Sequence, residues 1–205
     1  MSHLAEHREV AAFLRGLAGA DPIETHISLV FLGSDTVWKL KKAVRLSFLD
    51  FSRLEDRRRF AERELTLNGP HAPGMYRDVV AVTRHADGTV GFASGPEEPV
   101  LDWVLRMARV PAGDFMDVIA AEGRLTPALL DGLADSVAAL HAALPRRPDL
   151  RSDMRAVVAG NARAGREAGL PAAEVDRWEI TMLAALAARS EWLAARTARG
   201  FIRRA

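Results

Sequence analysis

The chain reads as an α+β protein, with a β-rich first lobe carrying one embedded helix and an all-helical second lobe. Three observations predict this. Runs of alternating apolar and polar residues occupy the region between Glu24 and Val110. A helical pattern over about Ser52 to Asn68 interrupts them. Beyond Pro111 the alternation stops, and Ala- and Leu-rich stretches of helical period run to the C-terminal residues. The expected division is 1–107 for the first lobe with its N-terminal helix, 108–111 for a connector and 112–205 for the helical part.

Element by element, Ser2 stands where a cap would open a helix over Leu4 to Leu17, which ends near Gly19. Thr25 to Leu32 has strand character. Gly33-Ser34-Asp35 is a turn signal, and Thr36 to Lys42 is the returning strand. Alternation puts Lys39 and Lys41 on one face of that strand, with Trp38 and Leu40 on the other. Ser52-Arg53-Leu54-Glu55 fits a capping box at the start of the embedded helix, and Gly69-Pro70 stops it. Val79 to Arg84 and Thr89 to Ala93 form a second hairpin around Asp87-Gly88. Val100 to Val110 is a further strand, closed by Pro111. Helices follow over Asp114–Ala121, Thr126–His141, Ser152–Ala168 and Ala172–Ala198, with Gly169 and Gly200 as stops.

Composition narrows the function classes. The 205 residues are 49% hydrophobic and 27% charged, enough for a packed core. With 28 basic and 27 acidic side chains the net charge is +1, which offers no global field for nucleic acid or anionic membrane. Arg57-Arg58-Arg59 fan around their helix and form no basic stripe, so no nucleic-acid partner is expected. The absence of cysteine excludes disulfides, thiolate catalysis and Cys-based zinc sites. The first ten residues do not form a signal peptide, and Ile180 to Ala188 is far shorter than the ~20 apolar residues of a membrane span. A soluble, cytoplasmic protein without a membrane partner is expected. His26, His71, His85 and His141 lack metal-ligand spacing. Asp50, Asp87 and Asp102 read as cap, turn and strand residues.

The sharpest compositional fact concerns lysine. Of the 28 basic residues only Lys39, Lys41 and Lys42 are lysines; arginine serves everywhere else. Retention of a compact ammonium at one place suggests chemistry that wants a point charge, although lysines on an edge strand also discourage aggregation. A lysine on an inner strand followed by a helix with glutamates suits the holding of nucleotide phosphates, the carboxylate fixing the ammonium. Lys39 is the first candidate and Lys41, on the same face, the second. Glu64 is the candidate partner, with Glu62 next; both also fit solvated helix carboxylates paired with neighbouring arginines.

At these residues the chain resembles a known family. Glu24-Thr25-His26-Ile27-Ser28, Val37-Trp38-Lys39-Leu40-Lys41-Lys42, Phe48-Leu49-Asp50-Phe51-Ser52 and Glu64-Leu65-Thr66-Leu67-Asn68 look like aminoglycoside-phosphotransferase-like enzymes. These have the protein-kinase-like fold, and the likeness is to a bacterial subgroup often fused to a P-loop ATPase. Val104 to Pro111 is similar to the family's hinge, and Leu133 to His141 to the helix before its catalytic loop. The resemblance covers about Glu24 to Pro145 well.

What it implies is ATP binding and transfer of a phosphoryl group to a hydroxyl of an unidentified small molecule. Lys39 would hold phosphates and Glu64 would pair with it. The Thr25–Ser28 turn would lie over the phosphates, with Thr25 and Ser28 as candidates. Met107, Ala108, Arg109 and Val110 would line the adenine site, through backbone groups. A P-loop ATPase domain is the implied further partner. One departure is decisive for activity: the family's His-Gly-Asp loop occurs nowhere in the 205 residues. In the subgroup it would follow a segment like Arg199 to Arg204, and this chain stops at Ala205, so the metal ligands for magnesium would be missing as well. The chain as given is expected not to turn over. The alternative from a different class is a non-catalytic nucleotide-binding or protein-interaction module.

Overall fold

A computed structural model describes residues 3–46, 48–146 and 154–203. It is a mixed α+β structure whose central element is a six-stranded antiparallel sheet. Two compact units divide the chain at the Leu129–Leu130 junction.

In the first unit, helix α1 (His3–Ala18) leads into β1 (Ile23–Glu24), β2 (Ser28–Leu32) and β3 (Thr36–Lys41). A two-stranded ribbon, β4 (Arg45–Leu46) and β5 (Leu49–Asp50), precedes helix α2 (Leu54–Asn68). Strands β6 (Tyr76–Arg84), β7 (Val90–Phe92) and β8 (Val100–Ala108) complete the sheet in the order β1-β2-β3-β8-β6-β7. Thus β3 is an inner strand, paired with β2 on one side and β8 on the other. Its register sets Lys39 opposite Val30 and Leu105, and Thr36 opposite Ala108.

The sheet buries both faces. Val10 and Leu14 of α1 meet Phe31, Leu40, Val82 and Val104, all fully buried, and Phe13 packs edge-on to Phe92 at 5.2 Å. Each such side chain is worth about 1.5–3 kcal/mol of burial, so α1 is part of the core. The opposite face takes α2, where Ala61 and Leu105 are buried and Phe51 lies 5.1 Å from Phe60.

Several local expectations are corrected. Thr25 to Leu32 is not one strand: the Thr25 hydroxyl accepts the Ser28 amide at 2.9 Å and donates to the Ser28 carbonyl, folding 25–28 into a turn. The proposed capping box does not form. Arg53 occupies the cap position with no side-chain bond, because Asp50 captures both the hydroxyl and the amide of Ser52, at 2.5 and 2.9 Å. The embedded helix does end at Asn68, before Gly69-Pro70 as expected, and Gly69, with φ of −51°, carries the chain on into a 3-10 turn over Gly69–His71. The last strand ends at Ala108, since the Arg109 amide leaves the ladder for the Asp35 carbonyl. The Ser2 cap lies outside the described residues.

The connector 108–111 lies within the first unit. The Ala108 amide donates to the Met75 carbonyl at 2.7 Å, and Arg109 bonds the β2–β3 turn through its amide (Asp35 carbonyl, 3.0 Å) and its guanidinium (Gly33 carbonyl, 2.6 Å). A 3-10 turn over Ala112–Asp114 and helix α3 (Met116–Ala121) stand where one helix from Asp114 was expected.

Helix α4 (Pro127–Ala143) spans the junction, its first turn capped by the Thr126 hydroxyl. The second unit adds α5 (Met154–Glu167), α6 (Ala172–Ala188) and α7 (Ser190–Ala198). Helices α5 and α6 pack together, and Val158 and Ala162 of α5 and Val175 of α6 are buried. Arg166 bonds Asp176 and Glu179 at 2.7 and 2.8 Å. The single helix expected over Ala172–Ala198 breaks at Arg189, whose ψ of 11° ends one helix and begins the next. Gly169 and Gly200 do stop their helices, at φ of +80° and +73°. Among the described residues no helix is long and apolar enough to cross a membrane.

Candidate functional site

The face of the sheet under α2 carries a cluster of charge. Alternation along β3 turns Lys39 and Lys41 toward this face, and both bond one carboxylate. Lys39 Nζ donates to Glu64 Oε1 at 2.7 Å, and Lys41 Nζ to Glu64 Oε2 at 2.9 Å. Glu62, the second candidate, instead pairs with Arg58 on the exposed side of α2 at 2.8 Å. Burial alone would raise the Glu64 pKa, but the two ammonium hydrogen bonds and charges overcome it and hold the carboxyl below its ordinary value. Burial, with the negative charge of Glu64 beside it, raises the pKa of Tyr76 at the start of β6.

The two lysines differ in access. The Lys41 side chain is 7% exposed, with its ammonium 5.3 Å from the centre of the Phe51 ring, whereas Lys39 is 28% exposed. Two ammonium charges share one carboxylate, so the cluster carries an excess positive charge with Lys39 at its open side. Lys42 points elsewhere, bonding Glu24 at 2.6 Å and the Thr25 carbonyl at 3.1 Å.

Ser28 adds a polar group to the same face, because its register partner is Lys41. The residue is 1% exposed, and its Oγ is the buried side-chain polar atom left without a partner among the described residues. Such an atom costs free energy unless something meets it. The Thr25 hydroxyl, by contrast, is consumed inside its own turn.

The candidate adenine residues stand at the other end of β3. Thr36 faces Ala108 and Val37 faces Met107 across the ladder. Thr36 lies three residues from Lys39, about 10 Å at ~3.3 Å per strand residue. The amides of Ala108 and Arg109 are taken by the fold, whereas the Val110 amide has no hydrogen-bond partner among the described residues. Met107, Ala108 and Val110 are half-buried and Arg109 exposed. Among the described residues no group of three His, Asp or Glu is arranged to hold a metal ion.

A second buried cluster was not anticipated. Asp102, fully buried on β8, accepts Arg57 Nε of α2 at 2.9 and 3.0 Å, His7 Nδ1 of α1 at 2.8 Å and the Trp103 amide at 2.8 Å. Arg57, 1% exposed, also donates to the Phe51 and Ser52 carbonyls at 3.0 and 3.2 Å. Asp102 lies beyond the last β3–β8 pair, Leu40 with Val104, so both helices reach it where β3 has ended. The one sequence signal was a lone Asp between apolar strand residues, which is indistinguishable from a solvated strand residue without its partners.

No protein-family model matches the chain, and no curated protein or solved structure matches it.

Proposed function

We propose that the first unit binds ATP and is the nucleotide-holding part of a kinase-like phosphotransferase, acting toward a hydroxyl of a small molecule. The observation that carries this reading is the clamp of Lys39 and Lys41 on Glu64. A helix carboxylate fixing a strand ammonium is what the holding of α- and β-phosphates requires. The excess positive charge and the access at Lys39 suit it to an anion. The orphaned Ser28 hydroxyl offers a further polar contact on that face. The strand order β3-β8-β6 sets the lysine strand beside β8, which ends at Ala108 and leads directly into Arg109 and Val110. About 10 Å along β3 from Lys39 to Thr36, which faces Ala108, suits an extended nucleotide with its base at Val110. The 205 residues contain no His-Gly-Asp, so the proposal is nucleotide holding and not turnover by this chain.

Calorimetry with ADP and a non-hydrolysable ATP analogue tests it. Lys39→Ala is expected to weaken binding at least tenfold, and Lys42→Ala, whose ammonium faces Glu24, to leave it within about twofold. A folded wild-type chain that binds neither nucleotide would overturn the reading.

A second reading, a protein-interaction module, draws on the helices of the second unit, where Leu133 is 48%, Ile180 68% and Trp192 57% exposed. It predicts association with a partner whether or not nucleotide binds.

A further inference from the structure

The lysine–glutamate clamp depends on where α2 stands, and little on α2 fixes its position along its own axis. Its N-terminus has no side-chain cap. Ala61 and Phe60 pack by apolar contact, which is non-directional and tolerates sliding. Arg58 lies over the Trp103 ring at 4.3 Å, but its side chain is half exposed. Arg57 is different. Its guanidinium meets both oxygens of Asp102 and two carbonyls of the segment entering α2. One Nε–H shared between the two carboxylate oxygens, with Nη1 held by two carbonyls, ties the guanidinium to the sheet and to the start of α2 at once.

Arg57, Ala61 and Glu64 follow one another at i, i+4 and i+7, which is one face of a helix. Seven residues span about 10 Å at ~1.5 Å each. One rigid rod therefore carries, on one side, a fixed point on β8 and the carboxylate that meets β3. We propose that Arg57 and Asp102 are positioning residues, whose buried pair sets Glu64 at bonding distance from both Lys39 and Lys41. His7 completes the Asp102 carboxylate from α1, so both helices share this fixed point. The consequence for nucleotide binding rests on the function proposed above; the coupling of the two clusters does not.

The sequence supplies an unusually clean probe, because Lys39, Lys41 and Lys42 are its only lysines. Lysine labelled with 13C at Cε gives three side-chain signals, assigned with single Lys→Arg variants. Glu64→Gln marks where the Lys39 and Lys41 signals fall when the clamp is released. In folded Asp102→Asn and Arg57→Gln, both signals are expected to move at least half of the way to those positions, with Lys42 unmoved. A merely structural pair would lower the melting temperature and leave the Lys39 and Lys41 signals where they are, and that result overturns the proposal. Should Asp102→Asn fail to fold, Asp102→Glu keeps the charge but displaces the carboxylate by one methylene. It is expected to move the same two signals part of the way, and no movement counts against the proposal. ADP titration of the same samples separates the two inferences: a wild type that binds no ADP removes the nucleotide reading, while the lysine shifts still decide the positioning role.

Discussion

Removal of the Asp102 carboxylate is the most severe single change the structure foresees. Asp102→Ala leaves the Arg57 guanidinium, 1% exposed, without its counter-charge, and leaves His7 without its partner. Breaking a buried ion pair from one side costs about 3–5 kcal/mol, because the remaining charge stays buried and uncompensated. Domains are stable by about 5–15 kcal/mol, so about a fifth or more of the total is at stake. Taking out both charges should cost far less, since the desolvation penalty leaves with them. The double variant Arg57→Leu, Asp102→Leu is therefore expected to be more stable than Asp102→Ala alone. Urea unfolding measures this, followed by the fluorescence of Trp38 and Trp103. Trp178→Phe and Trp192→Phe silence the second unit, as these four are the chain's tryptophans. A loss below about 1 kcal/mol in Asp102→Ala, the size of an ordinary surface change or little more, would refute the reasoning.

Two further outcomes follow from the clamp and from the β2–β3 turn. The folded state holds the Glu64 pKa below its ordinary 4.5, so the clamp's contribution is fully present above the unfolded value and is lost as pH falls through the folded one. Urea midpoints measured from about pH 6 to about pH 3 should fall less steeply in Glu64→Gln than in wild type. At Gly33 a Cβ would stand 2.6 Å from Trp38 Cζ3 and 2.9 Å from the Thr36 carbonyl oxygen, which the hairpin holds in place. Gly33→Ala is expected to cost about 1–3 kcal/mol, while Gly95→Ala, with open space around it, should leave thermal unfolding nearly unchanged.

What the amino-acid sequence determined by itself was local. Alternation alone put Lys39 and Lys41 on one face of β3, because the side-chain period of a strand is two whatever surrounds it. Gly169 and Gly200 announced their helix ends because a left-handed residue is costly for any other side chain. The change from strands to helices was legible in the change of period at Pro111, whereas the compact units divide further on, at Leu129–Leu130. The tertiary structure decided everything that needed a partner distant in sequence. It chose Glu64 over Glu62, which lie on different sides of one helix, by the way α2 meets the sheet. It left Lys39 open and buried Lys41, a difference invisible in a shared strand face. It gave the Ser52 hydroxyl to Asp50, although the spacing to Glu55 fitted a capping box. Above all it joined to Asp102 both His7 and Arg57, which are 95 and 45 residues away from it along the chain. No local preference encodes such a contact. It exists because β3 ends where β8 continues, and because charges taken out of water are stable only where their partners and hydrogen bonds are assembled around them.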